Sequence, residues 1–348
     1  MLNMKKSSGK NKNILISGYY GFDNFGDEAI LGVLVKKLKE LNANVRVLSK
    51  NPAKTASLYG VETTFFFNLL KVVFRISKCD VLVSGGGSLL QNVTSLKSLL
   101  YYLWVINTAL FFNKKVIIFA QGIGPINGRF AAFLTKNTLK KCSLVTVRDE
   151  KSLFLLRGWG VKADLVCDPL FDLSMAVSFP SNKVGVQLRG FKTLKEKLLI
   201  KLAEQVNKDF SDQIIEIYSF QDSLDLAVCK RFEKILKSLN PQITTNLIFN
   251  QTSNEILDKI SKLDYMIAMR FHANLIALKY GIKSFAICYD EKVEKLAKEA
   301  DIPYVSMLAN EDYDSLFQQL KALDNKKLVE FSTSKHFDWV KFEDIINS

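Results

Sequence analysis

Histidine is nearly absent: two residues, His272 and His336, in a chain of 348. That is too few for a histidine-rich metal site, so the sequence calls for no metal. The five cysteines (Cys79, Cys142, Cys167, Cys229, Cys288) are scattered singly. Without paired spacing they form neither a disulfide framework nor a zinc site, and they fit the thiols of a reducing compartment. Long apolar runs are missing too. Ile14-Leu15-Ile16 is too short for a signal peptide and leads straight into glycines and carboxylates, which points to a cytoplasmic protein. The stretches at 65–76 and 99–112 fall short of the roughly 20 residues that cross a bilayer. Two readings of them stand side by side: core-facing helices, or a surface that rests on a membrane with Lys71, Arg75 and Lys97 nearby. No nucleic-acid-binding module is recognisable, and the glycine-rich loops do not have the spacing of a dinucleotide fingerprint.

Lysine and arginine are in surplus, 48 against 35 carboxylates, for a net charge of +13. This balance favours an anionic partner, although lysines spread along the whole chain also make an ordinary solvated surface. Hydrophobic content of 48% and charged content of 24% belong to a globular protein, and the length suits two domains.

Apolar strands alternate with helices from start to end, the pattern of parallel doubly wound sheets. A strand at 12–17 runs into the loop Gly18 to Glu28, followed by a helix from about 29 to 41. Asp23, Asn24, Asp27 and Glu28 in that loop are candidates for sugar hydroxyls, and Asp27 also for a base. Capping and helix-dipole roles are the alternative for these acids. The strand at 80–84 ends in Gly85-Gly86-Gly87-Ser88, and that at 116–120 in Gln121-Gly122. The strand at 144–147 ends in Arg148-Asp149-Glu150. Because strand carboxyl ends share one rim, these turns are expected to gather there. After a hinge expected at 174–183 the alternation resumes: the strand at 184–188 ends in Arg189, and that at 265–268 in Arg270-Phe271-His272. A further strand at 284–287 precedes Tyr289 to Lys292. An isolated Arg-x-His can be a charged turn with a capping histidine. It also joins a forked cation suited to phosphate or carboxylate with the side chain best able to move a proton near neutral pH. His336 reads as a surface or packing residue.

The ordered set GYYGFDNFGDEAIL at 18–31, GGGSLLQN at 85–92, QGIGPI at 121–126, TVRDEKS at 146–152, Asp168-Pro169, Arg189, Arg270-Phe271-His272 and YDEKV at 289–293 resembles the polysaccharide pyruvyltransferase family. The likeness is nearest to its CsaB type, which acts on the secondary cell-wall polymer that anchors S-layers. Asn92 departs from it, standing where that family often has aspartate. The resemblance implies two Rossmann-like α/β domains of the GT-B kind with an active cleft between them. The expected boundaries are 1–175 on the acceptor side, 176–325 on the donor side, and a helical tail at 326–348 that crosses back to the first domain. It also implies phosphoenolpyruvate as co-substrate with no further cofactor, and a sugar or lipid-diphosphate-linked saccharide as acceptor. The expected catalytic residues are His272, Arg270 and Asp27. Arg189, Lys292, Arg148, Gly18, Asn24, Gly86, Gly87, Ser88, Gln121 and Gly122 are expected to bind substrate. Peripheral contact with the inner membrane surface would suit a lipid-linked acceptor, and no nucleic-acid partner is expected. Two rivals remain open: a GT-B glycosyltransferase using a nucleotide sugar, and a non-catalytic basic protein that binds acidic glycan or nucleic acid.

Overall fold

The computed structural model describes residues 11–93, 95–174, 181–191, 194, 196–306 and 312–348. The expected hinge at 174–183 lies largely outside the described residues, as does the basic start of the chain. The rest divides into two compact units. Among the described residues, unit 1 comprises those within 11–22, 30–169 and 337–348, and unit 2 those within 23–29 and 170–336.

Unit 1 is built from β1 (Asn13–Ser17), α1 (Phe25–Glu40), β2 (Asn44–Ser49), α2 (Pro52–Tyr59), β3 (Glu62–Phe65), α3 (Leu69–Lys78), β4 (Val81–Ser84), α4 (Leu96–Phe111), β5 (Lys115–Gln121), α5 (Arg129–Leu139), β6 (Leu144–Val147), α6 (Glu150–Gly158) and β7 (Asp164–Leu165). The strands form one parallel sheet in the order β3-β2-β1-β4-β5-β6-β7. The order reverses between β1 and β4, which makes the loops after those two strands the switch point of the unit. β1, β4 and β6 are short, apolar and buried on both faces, as parallel strands under helices must be.

Unit 2 repeats the plan with β8 (Lys183–Gln187), α7 (Glu196–Phe210), β9 (Ile214–Tyr218), α8 (Asp222–Leu239), β10 (Thr245–Ile248), α9 (Ser253–Ile260), β11 (Tyr265–Ala268), α10 (Phe271–Lys279), β12 (Lys283–Cys288), α11 (Glu291–Glu299), β13 (Tyr304–Ser306), α12 (Tyr313–Ala322) and α13 (Asn325–Ser334). Its parallel sheet runs β10-β9-β8-β11-β12-β13, with the switch point between β8 and β11. The last helix, α14 (Val340–Asn347), belongs to unit 1. There Phe337, Trp339 and Phe342 surround the buried Phe119 of β5, and Lys37 of α1 pairs with Glu343 at 2.5 Å. The expected two-domain, Rossmann-like α/β fold is present.

Two boundaries differ from expectation. Helix α1 starts at Phe25, four residues before the expected start. Asn24 Oδ1 accepts the Gly26 N–H, Asn24 O accepts the Glu28 N–H, and Asp27 and Glu28 sit in the first turn, where carboxylates suit the helix dipole. The stretch at 65–76 is not one helix. Phe65 ends β3, and Asn68 caps a new helix by accepting the Lys71 N–H at 3.1 Å. Strands β3, β7 and β13 carry too few apolar residues in a row to stand out in the sequence, and β3, β7 and β13 all lie at sheet edges.

Candidate active site

At the rim of unit 1 the glycines make room for the unit's own side chains. A Cβ on Gly18 would lie 2.3 Å from the Tyr20 ring. One on Gly85 would overlap the Tyr20 hydroxyl, and one on Gly86 would come within 2.7 Å of Ile30. Tyr20 and Ile30 are both fully buried, so the glycine-rich turns close onto packed interior. Gly87, at φ +97°, bridges to Gln121 in parallel fashion, and its carbonyl accepts the Gly122 N–H at 2.9 Å. The register of β5 slips between Ile118 and Gln121, with Ala120 at φ +46° and its N–H taken by Thr146 Oγ1. This aims the buried Gln121 amide at β4, where Nε2 donates to Ser84 O, Ser84 Oγ and Gly85 O at 2.8–3.1 Å. Its Oε1 is buried without a hydrogen-bond partner. Arg148 is taken up likewise: Nη1 donates to Asp168 Oδ2 at 2.5 Å, with both side chains buried. The matched blocks around 148 and 168 thus meet as one ion pair. Of the expected rim residues here, Ser88 is exposed, while Gly86, Gly87, Gln121 and Gly122 are buried.

Unit 2 treats its rim differently. Gln187 of β8 and Ala268 of β11 are register partners, so Arg189 and Arg270 leave adjacent strands at the same level beside the switch point. Gln187 ties the two ends together: its carbonyl accepts the Met269 N–H at 3.0 Å and its Oε1 the Arg270 N–H at 2.8 Å. Arg270 is locked from the side. Its Nε and Nη2 donate to the two oxygens of Asp225 at 2.7 and 2.8 Å, and the Asp225 side chain is fully buried. Asp225 Oδ2 also accepts the N–H groups of Phe220 and Gln221, so a single carboxylate fixes both the guanidinium and the turn before α8.

That turn in turn holds the start of α1. Phe220 O accepts the Phe25 N–H at 3.0 Å, and the two phenyl rings lie 4.2 Å apart. The next residue, Gly26, lies against the imidazole of His272, and a Cβ there would be 1.9 Å from His272 Nδ1. Only glycine lets this helix turn and the half-buried histidine share the space. Asp27 and Asn24 come to the site on the same short segment, which groups with unit 2.

Arg189 has another setting. Its guanidinium lies 4.8 Å from the Phe191 ring centre and 5.1 Å from that of Tyr289, and Nη1 donates to the Tyr289 hydroxyl at 3.0 Å. Among the described residues its Nε, which is buried, has no hydrogen-bond partner. Burial pushes the Tyr289 phenol above its usual range, Asp290 adds to this, and Arg189 and Arg270 pull it partly back. Both cations therefore act on one hydroxyl. Asp290 is the N-cap of α11, its Oδ1 accepting the N–H groups of Lys292 and Val293. Lys292 is half-buried in the first turn of that helix.

Four of these residues escape a reading of the sequence. Asp225 could have been found, because it is an acid on the buried stripe of α8 with Val228, Cys229, Phe232 and Leu236. Gly26, Gln187 and Phe220 leave no comparable signal, since their roles depend on contacts between distant segments.

A family model described as polysaccharide pyruvyl transferase matches residues 24–291. The chain belongs to the polysaccharide pyruvyl transferase family. Among curated proteins, none matches it. The solved structures similar to this member of the family share its fold at low identity. Anabaena HepE in complex with UDP has a TM-score of 0.65 at 13% identity, over 96% of this chain and 98% of that one. UDP-GlcNAc 2-epimerase from Neisseria meningitidis, bound to UDP-GlcNAc, has a TM-score of 0.59 at 11% identity, over 97% of each chain. MurG from Acinetobacter baumannii has a TM-score of 0.54 at 11% identity, over 97% and 99%. These likenesses place the pyruvyl transferase fold of this chain in the two-domain GT-B class. Membership in the family implies a saccharide acceptor. Among the described residues, no helix is long and apolar enough to cross a membrane.

Proposed function

We propose that this transferase moves the pyruvyl unit of phosphoenolpyruvate onto a sugar as a ketal and releases phosphate. The acceptor in this reading is ManNAc in a lipid-linked cell-wall polysaccharide precursor, met at the cytoplasmic face of the membrane. That is the CsaB type of activity, which serves the secondary cell-wall polymer and S-layer anchoring. The observation that carries the proposal is the pairing of Arg189 and Arg270 on adjacent strand ends, with His272 in the following turn.

Phosphoenolpyruvate bears a carboxylate and a phosphate, and two guanidinium forks suit two such groups. Arg189, whose Nε has no hydrogen-bond partner among the described residues, is a donor anchor beside Arg270. Arg270 offers the N–H groups that Asp225 leaves over and is held at a fixed angle by that carboxylate. Lys292 adds a third positive charge from the start of α11. Ketal formation adds one proton to the methylene carbon, removes a proton from each of two sugar hydroxyls, and expels phosphate, which takes up the other proton. His272 carries protons in this scheme, and Asp27 orients or deprotonates an acceptor hydroxyl. The guanidinium groups stabilise charge on the departing phosphate. Glycosyl transfer from a nucleotide sugar would need a carboxylate for the ribose, Asp290 or Glu291, and Asp290 Oδ1 is engaged in capping α11.

The test is phosphate release from phosphoenolpyruvate with and without a ManNAc-GlcNAc lipid-diphosphate analogue. Acceptor-dependent release, lost in Arg189→Ala and His272→Gln, is the expected result. No response to phosphoenolpyruvate in release or thermal stability, together with stabilisation by a nucleotide sugar, would overturn it.

A further inference from the structure

Helices α3, α4 and α5 of unit 1 pack side by side, with α4 in the middle. Their inner faces fill the core beneath the sheet. Their outer faces are apolar to an unusual degree for a protein surface. On α3, Phe67 just before the helix, Leu70 and Phe74 follow one another at helical spacing and are 61%, 86% and 56% exposed. Leu96 at the start of α4, and Phe130 and Phe133 on α5, are exposed as well. Isolated exposed apolar residues are ordinary, whereas three adjacent helices that each display them are not.

The charge on this face is one-sided. Together α3, α4 and α5 carry six lysines and arginines and no carboxylate. From Thr63 to Arg148 the sequence contains one acidic residue, Asp80, against eleven basic ones. Arg75 is partly answered by Glu62 at 3.5 Å, but Lys71 and Lys97 have no acid on their own helices. Helices in parallel α/β sheets run opposite to the strands. The starts of α3, α4 and α5, where most of the exposed side chains cluster, therefore lie toward the rim that bears the strand carboxyl ends.

We infer that this three-helix face docks on an anionic lipid bilayer. Apolar side chains that enter the headgroup boundary, flanked by lysines whose stems lie along it, are the chemistry of an interfacial membrane surface. A second copy of this chain is the poorer occupant, because two such faces would bring like charges together. The inference is independent of the reaction proposed above, and its test involves no substrate.

The measurement is co-sedimentation with vesicles of phosphatidylglycerol mixed with phosphatidylcholine, and with phosphatidylcholine alone. Binding to the mixed vesicles, falling steeply with salt, is expected. Leu70→Asp with Phe74→Asp should weaken it at least tenfold, and Lys71→Glu with Lys97→Glu by about fivefold or more per residue. Leu239→Asp, an exposed apolar change in unit 2, should leave it unchanged. Thermal unfolding confirms that each variant folds. Equal binding to neutral vesicles, indifference to the α3 variants, or no vesicle binding at all would overturn the inference. Concentration-dependent self-association that Leu70→Asp abolishes, without vesicle binding, would assign the face to a second copy instead.

Discussion

The two sheets share a strand order, yet their rims use functional-looking residues in opposite ways. In unit 1 the conspicuous turns are spent on their own architecture. Glycines close over Tyr20 and Ile30, Gln121 ties β5 to β4, and Arg148 is neutralised by Asp168. In unit 2 the structural work is done by residues that stand out less, Asp225, Gln187 and Gly26, and the arginines and histidine are the groups being held. A glycine-rich loop after a strand therefore says that something approaches the backbone closely. It does not say whether that something is a ligand or the protein itself.

The sharpest way to break this contrast is to break the two buried ion pairs. Asp168→Ala in unit 1 and Asp225→Ala in unit 2 should each destabilise by about 3–5 kcal/mol, because each removes the carboxylate paired with a buried guanidinium. Chemical denaturation of both variants reads this. Only Asp225→Ala should also weaken phosphoenolpyruvate binding, seen as lost thermal stabilisation by the donor; equal loss in both would erase the distinction. Next in size, His272→Gln should lower turnover by about 10²-fold or more with the fold intact, a steady-state assay alongside circular dichroism being the check. Gly26→Ala should approach that loss by displacing the imidazole, and near-normal turnover there would dissociate the first turn of α1 from the site. Gly86→Ala should instead cost about 1–3 kcal/mol of stability by overpacking against Ile30, with the Michaelis constant for phosphoenolpyruvate unchanged.

The smallest effect is a common one. Burial pushes the thiols of Cys79, Cys142 and Cys229 up to about 12 from an ordinary value of 9. Above pH 9 the unfolded chain loses these protons while the folded chain keeps them. Their contribution is thus complete below pH 9 and declines as pH rises toward 12. Stability should fall by about 1 kcal/mol per thiol at pH 10, measurable by denaturation at pH 8 and pH 10. Slow reaction of the buried Cys79 and Cys229 thiols with a disulfide reagent at pH 8, until the chain unfolds, would accompany it.

Much of the architecture could be read from the sequence because parallel strands buried on both faces are short apolar runs, and each ends in a turn rich in glycine or charge. The helix start at Phe25 was harder to see. Its cap, Asn24, lies in a loop whose aromatic and glycine residues hide the helical period. The stretch at 65–76 allows both a core-facing and a surface reading, because phenylalanines alone do not say which way they point; several of them face outward. At the site, Arg270 and His272 stand out as rare residue types in a short motif. What fixes their geometry does not, since Asp225 lies 45 residues away in sequence from Arg270 and Gly26 further still from His272. Periodicity reports a residue's own element, and packing between elements leaves little trace in it.

The cluster around Phe119 bears on the order in which the protein comes into being. Phe119 is translated well before the aromatic residues that enclose it, Phe337, Trp339 and Phe342. Most of unit 2, Leu170–His336, is synthesised in between. Unit 1 is therefore begun before the bulk of unit 2 and completed after it: during translation Phe119 lacks these aromatic neighbours until α14 emerges, and the nascent chain must keep that apolar side chain from other company in the meantime.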